Sequence, residues 1–368
     1  MNSRMISRWQ FFLLTINYIL GTLFFVLIQA LIRQGGQDAW LMPWWAGTAG
    51  ILFALIWIIL YRCHPGKSLV QISRATLGRV FGTVIATLYF LYFCILAGWV
   101  LRNLSDFMNG TIMPETPKSV FHFMFLLVAC YTVANGVETI ARLNQVLTPF
   151  LFFPFWFVML LASVNWDWSR FQPAFLIENW KNIIGFYSFL GFPYMETIVL
   201  MMLFPLVNKS AGRSFVMGIV TATLSLSLIL FMIIGLLGIE RASRLTFPIY
   251  SVVQEISIGE VMMNIHSVIS VILLILIFIK LLVLVYAAYA SLNQMFLPAT
   301  KWPFLIAITI IMTAMAGSIY ENPIQNREWN EKYTFVYGSF FALFIPCLLL
   351  VITWVKNIVR KTYRRSTG

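Results

Sequence analysis

The sequence predicts an all-α polytopic membrane protein of ten transmembrane helices, built as a five-plus-five inverted repeat in which helices 1 and 6 are broken. Three observations carry that expectation. Hydrophobic residues make up 60% of the 368-residue chain and charged residues only 10%, against roughly 45–50% and 25% in soluble domains. The apolar residues fall in repeated runs long enough to cross a bilayer, which takes about 20 residues. Two of those runs are interrupted at matching places, by Leu20-Gly21-Thr22 in the first half and by Gly191-Phe192-Pro193 in the second.

The spans lie at roughly 9–32, 40–60, 81–101, 119–135, 146–165, 183–206, 212–238, 265–290, 302–320 and 333–355. No polar stretch between them exceeds about 30 residues. One transmembrane domain is therefore expected over 1–368, with a first repeat at about 6–165 and a second at about 170–358. Each half holds five spans, an odd number, so two similar halves insert with opposite orientation. Glycine- or proline-interrupted spans at matching places in such halves point to a transporter-type site. The opening MNSRMISRWQFF has the charge of a signal peptide, but its apolar run is too long and lacks a small-x-small cleavage site. It reads as a retained first span.

A net charge of +12 suggests nucleic acid in a soluble protein; here its distribution over two membrane faces explains it better. If both termini share one face, that face holds fifteen lysines and arginines against the single acid Glu138, and the other face holds nine cations and eleven acids. By the positive-inside rule both ends are cytoplasmic. Cys63, Cys94, Cys130 and Cys347 lie in or beside apolar runs, so no disulfide framework is implied.

In chain order, the first span has its weak point at Asn17 and Leu20-Gly21-Thr22. Glycine there lets a ligand approach the backbone or serves close helix packing, and Thr22 can bond carbonyls freed by unwinding. Between spans two and three, Pro65-Gly66 breaks the chain. Leu69, Ile72, Ala75 and Leu77 approximate one face of a short surface helix. Gly66-Lys67-Ser68 is not a phosphate-binding loop, because that motif needs glycine where Tyr61 stands. Span three presents Tyr89, Tyr92, Phe93, Leu96 and Trp99, either a packing stripe or a pocket wall. Glu138 and Arg142 stand four apart, the spacing of a structural surface pair.

The sixth span carries the strongest signal. Gly191 and Pro193 weaken the helix, because proline removes a hydrogen bond and clashes with the preceding turn. Tyr194 and Glu196 follow. An ionised carboxylate in lipid costs roughly 2.5–3.5 kcal/mol or more and marks a functional site by default; freed backbone groups at such a break make ligand sites in transporters. Residues 239–264 form the longest polar segment, a surface helix or a lid. In span eight Lys280 lies too deep to snorkel to either interface and needs a carboxylate, a carbonyl cluster or water; Glu196, at comparable depth, is a natural candidate for its partner. Tyr286 and Tyr289 follow on the same helix.

An enzyme is disfavoured. His64, His122 and His266 are far apart in sequence, no metal-ligand spacing exists, and Glu196 is the one deep carboxylate. A nucleophile–base constellation has nothing to be built from, and neither a catalytic residue, a metal nor a cofactor is expected.

These motifs resemble a family, the B-type subunits of bacterial spore germinant receptors. They are GerAB-like endospore germination permeases of the amino acid–polyamine–organocation superfamily. The resemblance rests on Ile6-Ser7 with Gln10, Leu20-Gly21-Thr22, Gln37-Asp38-Ala39-Trp40, Pro65-Gly66-Lys67-Ser68-Leu69 and Leu77-Gly78. It continues through Gly136-Val137-Glu138 with Arg142, Pro193 to Glu196, Phe278-Ile279-Lys280 and Glu321-Asn322-Pro323. It departs at Ile28, where relatives usually carry proline, and at Met263-Asn264, where they tend to carry an acidic–arginine pair.

The resemblance implies a germinant-sensing subunit in the spore inner membrane, beside an A-type and a lipoprotein C-type partner. It implies a small nutrient ligand, an amino acid or nucleoside, held at mid-membrane between broken helices 1 and 6, with walls from spans three and eight. The ligand-binding candidates are then Gly21 and Thr22, Tyr92 and Leu96, Gly191, Tyr194 and Glu196, and Lys280 and Tyr286. An active cation-coupled amino-acid transporter is the alternative. Lys280 bears on the choice between the two, because a fixed buried cation could stand in for a bound sodium ion.

Overall fold

The computed structural model describes residues 5–21, 23–208, 210–254, 265–296 and 300–366. Thr22 and residues 255–264, the end of the segment expected to be a surface helix or a lid, lie outside the described residues. Apart from one parallel bridge between Ile6 and Val207, all regular structure among the described residues is helical. That is the physical consequence of an apolar solvent, in which a helix satisfies its backbone groups internally.

The first span is two helices, α1 (Arg8–Leu20) and α2 (Leu23–Gly35), and a tight turn at Gly36–Leu41 leads into α3 (Met42–Cys63). The short α4 (Leu69–Leu77) precedes α5 (Arg79–Phe107), α6 (Lys118–Ala134) and α7 (Val137–Ala162). The sixth span comprises α8 (Ile177–Gly185) and an irregular helical stretch over Leu190–Met202. Then come α9 (Ala211–Leu237), the small α10 (Ile239–Ala242) and α11 (Pro248–Gln254), α12 (Ile265–Phe296) and α13 (Trp302–Ser318). The chain ends with α14 (Pro323–Ser339), a wide turn at Phe340–Phe344 and α15 (Ile345–Ser366).

Each predicted span falls on one of these stretches, but continuity differs. By length and apolarity six unbroken helices among the described residues suffice to cross a membrane, and the bent pair Ile177–Gly185 plus Leu190–Met202 makes a seventh. Lys118–Ala134 and Trp302–Ser318 are shorter apolar helices. The count departs from ten because α2 runs through its turn into α3 as one helical stretch, while α1 is cut from it at Gly21.

Two boundaries shift furthest. Span five begins at Val137 rather than 146, since Glu138 and Arg142 already form a helical ion pair at 2.5 Å. Span ten begins with α14 at Pro323, capped by the Asn322 side chain. The surface helix is α4, with Ser68 as its cap. Its buried residues are Leu69, Val70, Ile72, Ser73 and Thr76, whereas Ala75 is exposed. A face one turn wide follows i, i+3, i+4 and i+7.

The loops gather on two faces. On the face of the termini, the Ile6 N–H donates to the Leu206 carbonyl and the Asn208 N–H to that of Ile6. There too Arg74 donates to the Gln294 carbonyl and Lys356 to that of Thr76. On the opposite face Asp38 accepts from the Phe175 and Leu176 N–H groups and from the Asn179 side chain. Lys118 pairs with Asp106 there at 2.6 Å.

Between the faces the molecule is turned outward. Leu52, Phe123, Phe150, Phe153, Phe157 and Trp354 are exposed, a belt that only lipid covers favourably. Inside it, α12 packs against α5, α7, α1 and α6, and Ile277, Ile279, Leu281 and Leu284 around Lys280 are fully buried.

Candidate functional site

The site begins with a backbone that cannot continue as a helix. Pro193 offers no N–H to the preceding turn, and Phe192 is extended at φ −131, ψ 117. The Phe192–Pro193 peptide is cis. The two arms of the span meet at 48°. The chain then rewinds tightly over Met195–Met202, every residue of which is buried, with the Thr197 hydroxyl donating to the Tyr194 carbonyl at 2.6 Å. Gly191 lets α14 approach: a Cβ there would stand 2.6 Å from the Thr334 carbonyl oxygen.

Just beyond the break, Glu196 Oε2 meets Lys280 Nζ from α12 at 2.6 Å. The lysine side chain is 0% exposed and the glutamate 8%, so the pairing expected from their depth is present. Two rings flank the ammonium, Phe192 at 4.6 Å and Tyr18 at 5.0 Å to their centroids. The extended backbone at Phe192 delivers one of them. Ring faces attract a desolvated cation, so the broken backbone and the buried charge support each other.

Glu196 lines a cavity of about 30 Å³ that Lys280 does not. Gly191 and Phe192 form its floor, Leu96, Trp99 and Asn103 of α5 one wall, and Trp329, Asn330, Thr334, Tyr337 and Gly338 of α14 the other. A water needs about 10–15 Å³ by this measure. The space holds about two waters, and a nutrient enters only if the walls part. Trp99 and Trp329 both line it, with ring centroids 4.4 Å apart. A wider cleft of about 510 Å³ uses the adjacent residues of α14, among them Glu331, Lys332 and Phe335, with Lys181, Tyr187 and Ser188. Glu331 also pairs with Arg33 at the end of α2, and its carbonyl accepts from the Ser188 hydroxyl.

Of the sequence candidates, Leu96, Gly191 and Glu196 line the cavity, and Lys280 lies behind Glu196. Tyr92 stands beside it, stacked on Phe341 at 4.2 Å and 5.5 Å from the Tyr337 ring. Tyr194 points the other way, bonded to Thr223 at 2.9 Å and packed on Gly50 of α3. Gly21 is a packing contact: a Cβ there would stand 2.8 Å from the Leu276 carbonyl and 3.0 Å from Lys280 Cβ. Tyr286 lies outside the cavity on α12.

The residues missed by sequence reasoning are mostly on α14. Asn326, Asn330, Thr334 and Gly338 repeat every four residues, the spacing of one helix face. Starting span ten at 333 left the first two in a loop and hid the stripe. No group of three or more His, Cys, Asp or Glu suited to a metal occurs among the described residues.

A family model described as spore germination protein matches residues 5–326. Spore germination protein KB of Bacillus subtilis (strain 168) is 23% identical over 370 residues, covering 97% of each chain. Spore germination protein B2 of the same strain is 21% identical over 355 residues, 92% of each chain. YndE, also a spore germination protein there, is 23% identical over 365 residues, covering 96% of this chain and 97% of its own. Among solved structures, MhsT in complex with L-phenylalanine superposes with a TM-score of 0.62 over 96% of this chain and 99% of that one. At 16% identity that likeness shows a shared fold.

Proposed function

The chain belongs to the spore germination protein family, and from that membership we propose that it is the germinant-sensing subunit of a spore germination receptor. The observation that carries the reading is the cavity at the broken sixth span, lined by Glu196, Trp99 and Trp329. A small nutrient, an amino acid or a nucleoside, binds there at mid-membrane. Its pocket lies between the sixth-span break, α5 and α14, with the broken first span behind it, where Tyr18 flanks Lys280.

The two repeats run over about 6–165 and 170–358. The chain sits in the spore inner membrane with both termini cytoplasmic and works beside an A-type and a lipoprotein C-type subunit. Ligand binding parts the Trp99–Trp329 closure, and the movement of α14 carries the signal to those partners. A second reading is active, cation-coupled amino-acid transport, favoured by the fold shared with MhsT, whose structure holds L-phenylalanine.

Spores carrying this receptor alone, exposed to a panel of L-amino acids and nucleosides, test the reading. A germinant response lost on Trp329→Ala or Glu196→Gln at unchanged protein level supports it. A wild-type response from both variants removes the ligand from this cavity. Net accumulation of labelled germinant in vesicles favours the transporter.

A further inference from the structure

A hydrogen-bonded ladder runs along α14 into the cavity. The Thr334 hydroxyl donates to Asn330 Oδ1 at 2.9 Å, Asn330 Nδ2 to Asn326 Oδ1 at 3.1 Å, and Asn326 Nδ2 to Asn103 Oδ1 at 3.3 Å. The Tyr320 hydroxyl shares its hydrogen between Asp106 Oδ2 at 2.8 Å and Asn103 Oδ1 at 3.0 Å. Asp106 is itself held by Arg102 and Lys118. Asn103, Asn326, Thr334 and Tyr320 are all buried.

The ladder decides what the cavity offers. A side-chain amide has one carbonyl with two acceptor sites and an NH₂ with two donors. The Asn103 carbonyl is occupied twice, and its nitrogen makes no hydrogen bond among the described residues. The Asn330 carbonyl accepts from Thr334, and its nitrogen spends one hydrogen on Asn326. Both residues line the cavity; Asn103 has only N–H left to present there, and Asn330 has one N–H beside one remaining carbonyl lone pair. The carboxylate of Glu196 lines the same space. The cavity therefore carries an acceptor at the broken span and donors on the facing walls.

We propose that Asn103 and Asn330 form the subsite that binds the carboxylate of an amino-acid ligand, with the ligand's ammonium directed to Glu196. The inference rests on the cavity being the ligand site. Asn326 does not line the cavity; it is a positioning residue that fixes which way the two amides face. Trp99, Trp329 and Tyr337 take the apolar part of the ligand.

The test uses spores with the complete receptor and a panel of L-amino acids, their α-amides and methyl esters, the corresponding decarboxylated amines, and inosine. Free amino acids should trigger germination, and the amides, esters and amines should not. Asn103→Asp and Asn330→Asp place a carboxylate against the ligand's own. Each should raise the concentration giving half-maximal response about tenfold or more, the effect of losing a hydrogen bond to a charged group. Asn326→Asp, which turns the two amides without meeting the ligand, should do so less. Immunoblots verify that the variants accumulate. An unchanged dose response in both aspartate variants overturns the subsite, as does an equal response of wild type to esters. A response to inosine alone, still lost in Trp329→Ala, also overturns it but leaves the cavity as the ligand site. A response indifferent to Trp329→Ala and Glu196→Gln removes the site itself.

Discussion

Lys280 Nζ lies 2.6 Å from Glu196 Oε2, and the pair ties the centre of α12 to the first turn after the break in the sixth span. Neither group reaches water directly on the lysine side. Their attraction must therefore offset desolvation with the help of the Phe192 and Tyr18 rings. Removing one partner from such a pair costs about 3–5 kcal/mol, because the other charge is left buried alone. Lys280→Met and Glu196→Gln should each lower the yield of folded protein by that mechanism. The double variant should recover part of the loss, since residues in contact do not contribute additively. Thermal unfolding in detergent of the two single variants and the double measures the coupling, and simple additivity would break the pairing as a unit.

Gly21 tests packing against binding. Its position at a weak point of the first span suggested contact with ligand, so that Gly21→Leu would silence the response at normal protein level. With Leu276 O and Lys280 Cβ 2.8 and 3.0 Å from any Cβ, the substitution overpacks the α1–α12 contact, at about 1–3 kcal/mol. The expected result is reduced protein as well as reduced response. Normal protein with no response would restore Gly21 to the binding site.

What was legible in the sequence follows from physical cost. Charge in lipid is expensive, so Glu196 and Lys280 stood out and were found together. Proline in a helix removes a hydrogen bond, so the break at Pro193 was readable to the residue. Direction was not readable. Tyr194, inside the break, points toward α3 and α9 because a tight turn had rotated it away, and no periodicity predicts that rotation. Polar side chains also hid in plain view: Asn326 and Asn330 read as loop because asparagine favours turns over helices. Only the register with Thr334 and Gly338 reveals them as one face.

The aromatic closure is open to a direct test. Trp99 and Trp329 meet at 4.4 Å over a space that holds about two waters, and Thr334 lies inside it, buried. A cysteine at Thr334 should therefore react slowly with a small water-soluble thiol reagent. Adding Trp329→Ala should accelerate the reaction markedly by opening the lid. Equal rates with and without Trp329 would mean that the barrier to the cavity lies elsewhere, for instance at the Glu331–Arg33 pair.

Orientation is the last prediction. The structure gathers Ile6, Leu206 and Asn208, α4 and Lys356 on one face. By the sequence-based assignment of the loops, fifteen lysines and arginines are expected on that face against nine on the other. The asymmetry in lysine and arginine, rather than net charge, directs insertion, so this face is expected to be cytoplasmic. Val164 lies on the opposite face, 79% exposed, and Ser210 is exposed on the face of the termini. Cys63 and Cys347 are exposed free thiols and must first be replaced by alanine. In that background, an impermeant maleimide added to sealed, right-side-out vesicles should label Val164→Cys and spare Ser210→Cys until the vesicles are lysed. The reverse pattern would invert the molecule. It would turn the Trp99–Trp329 closure toward the cytoplasm, where no external nutrient could reach it first.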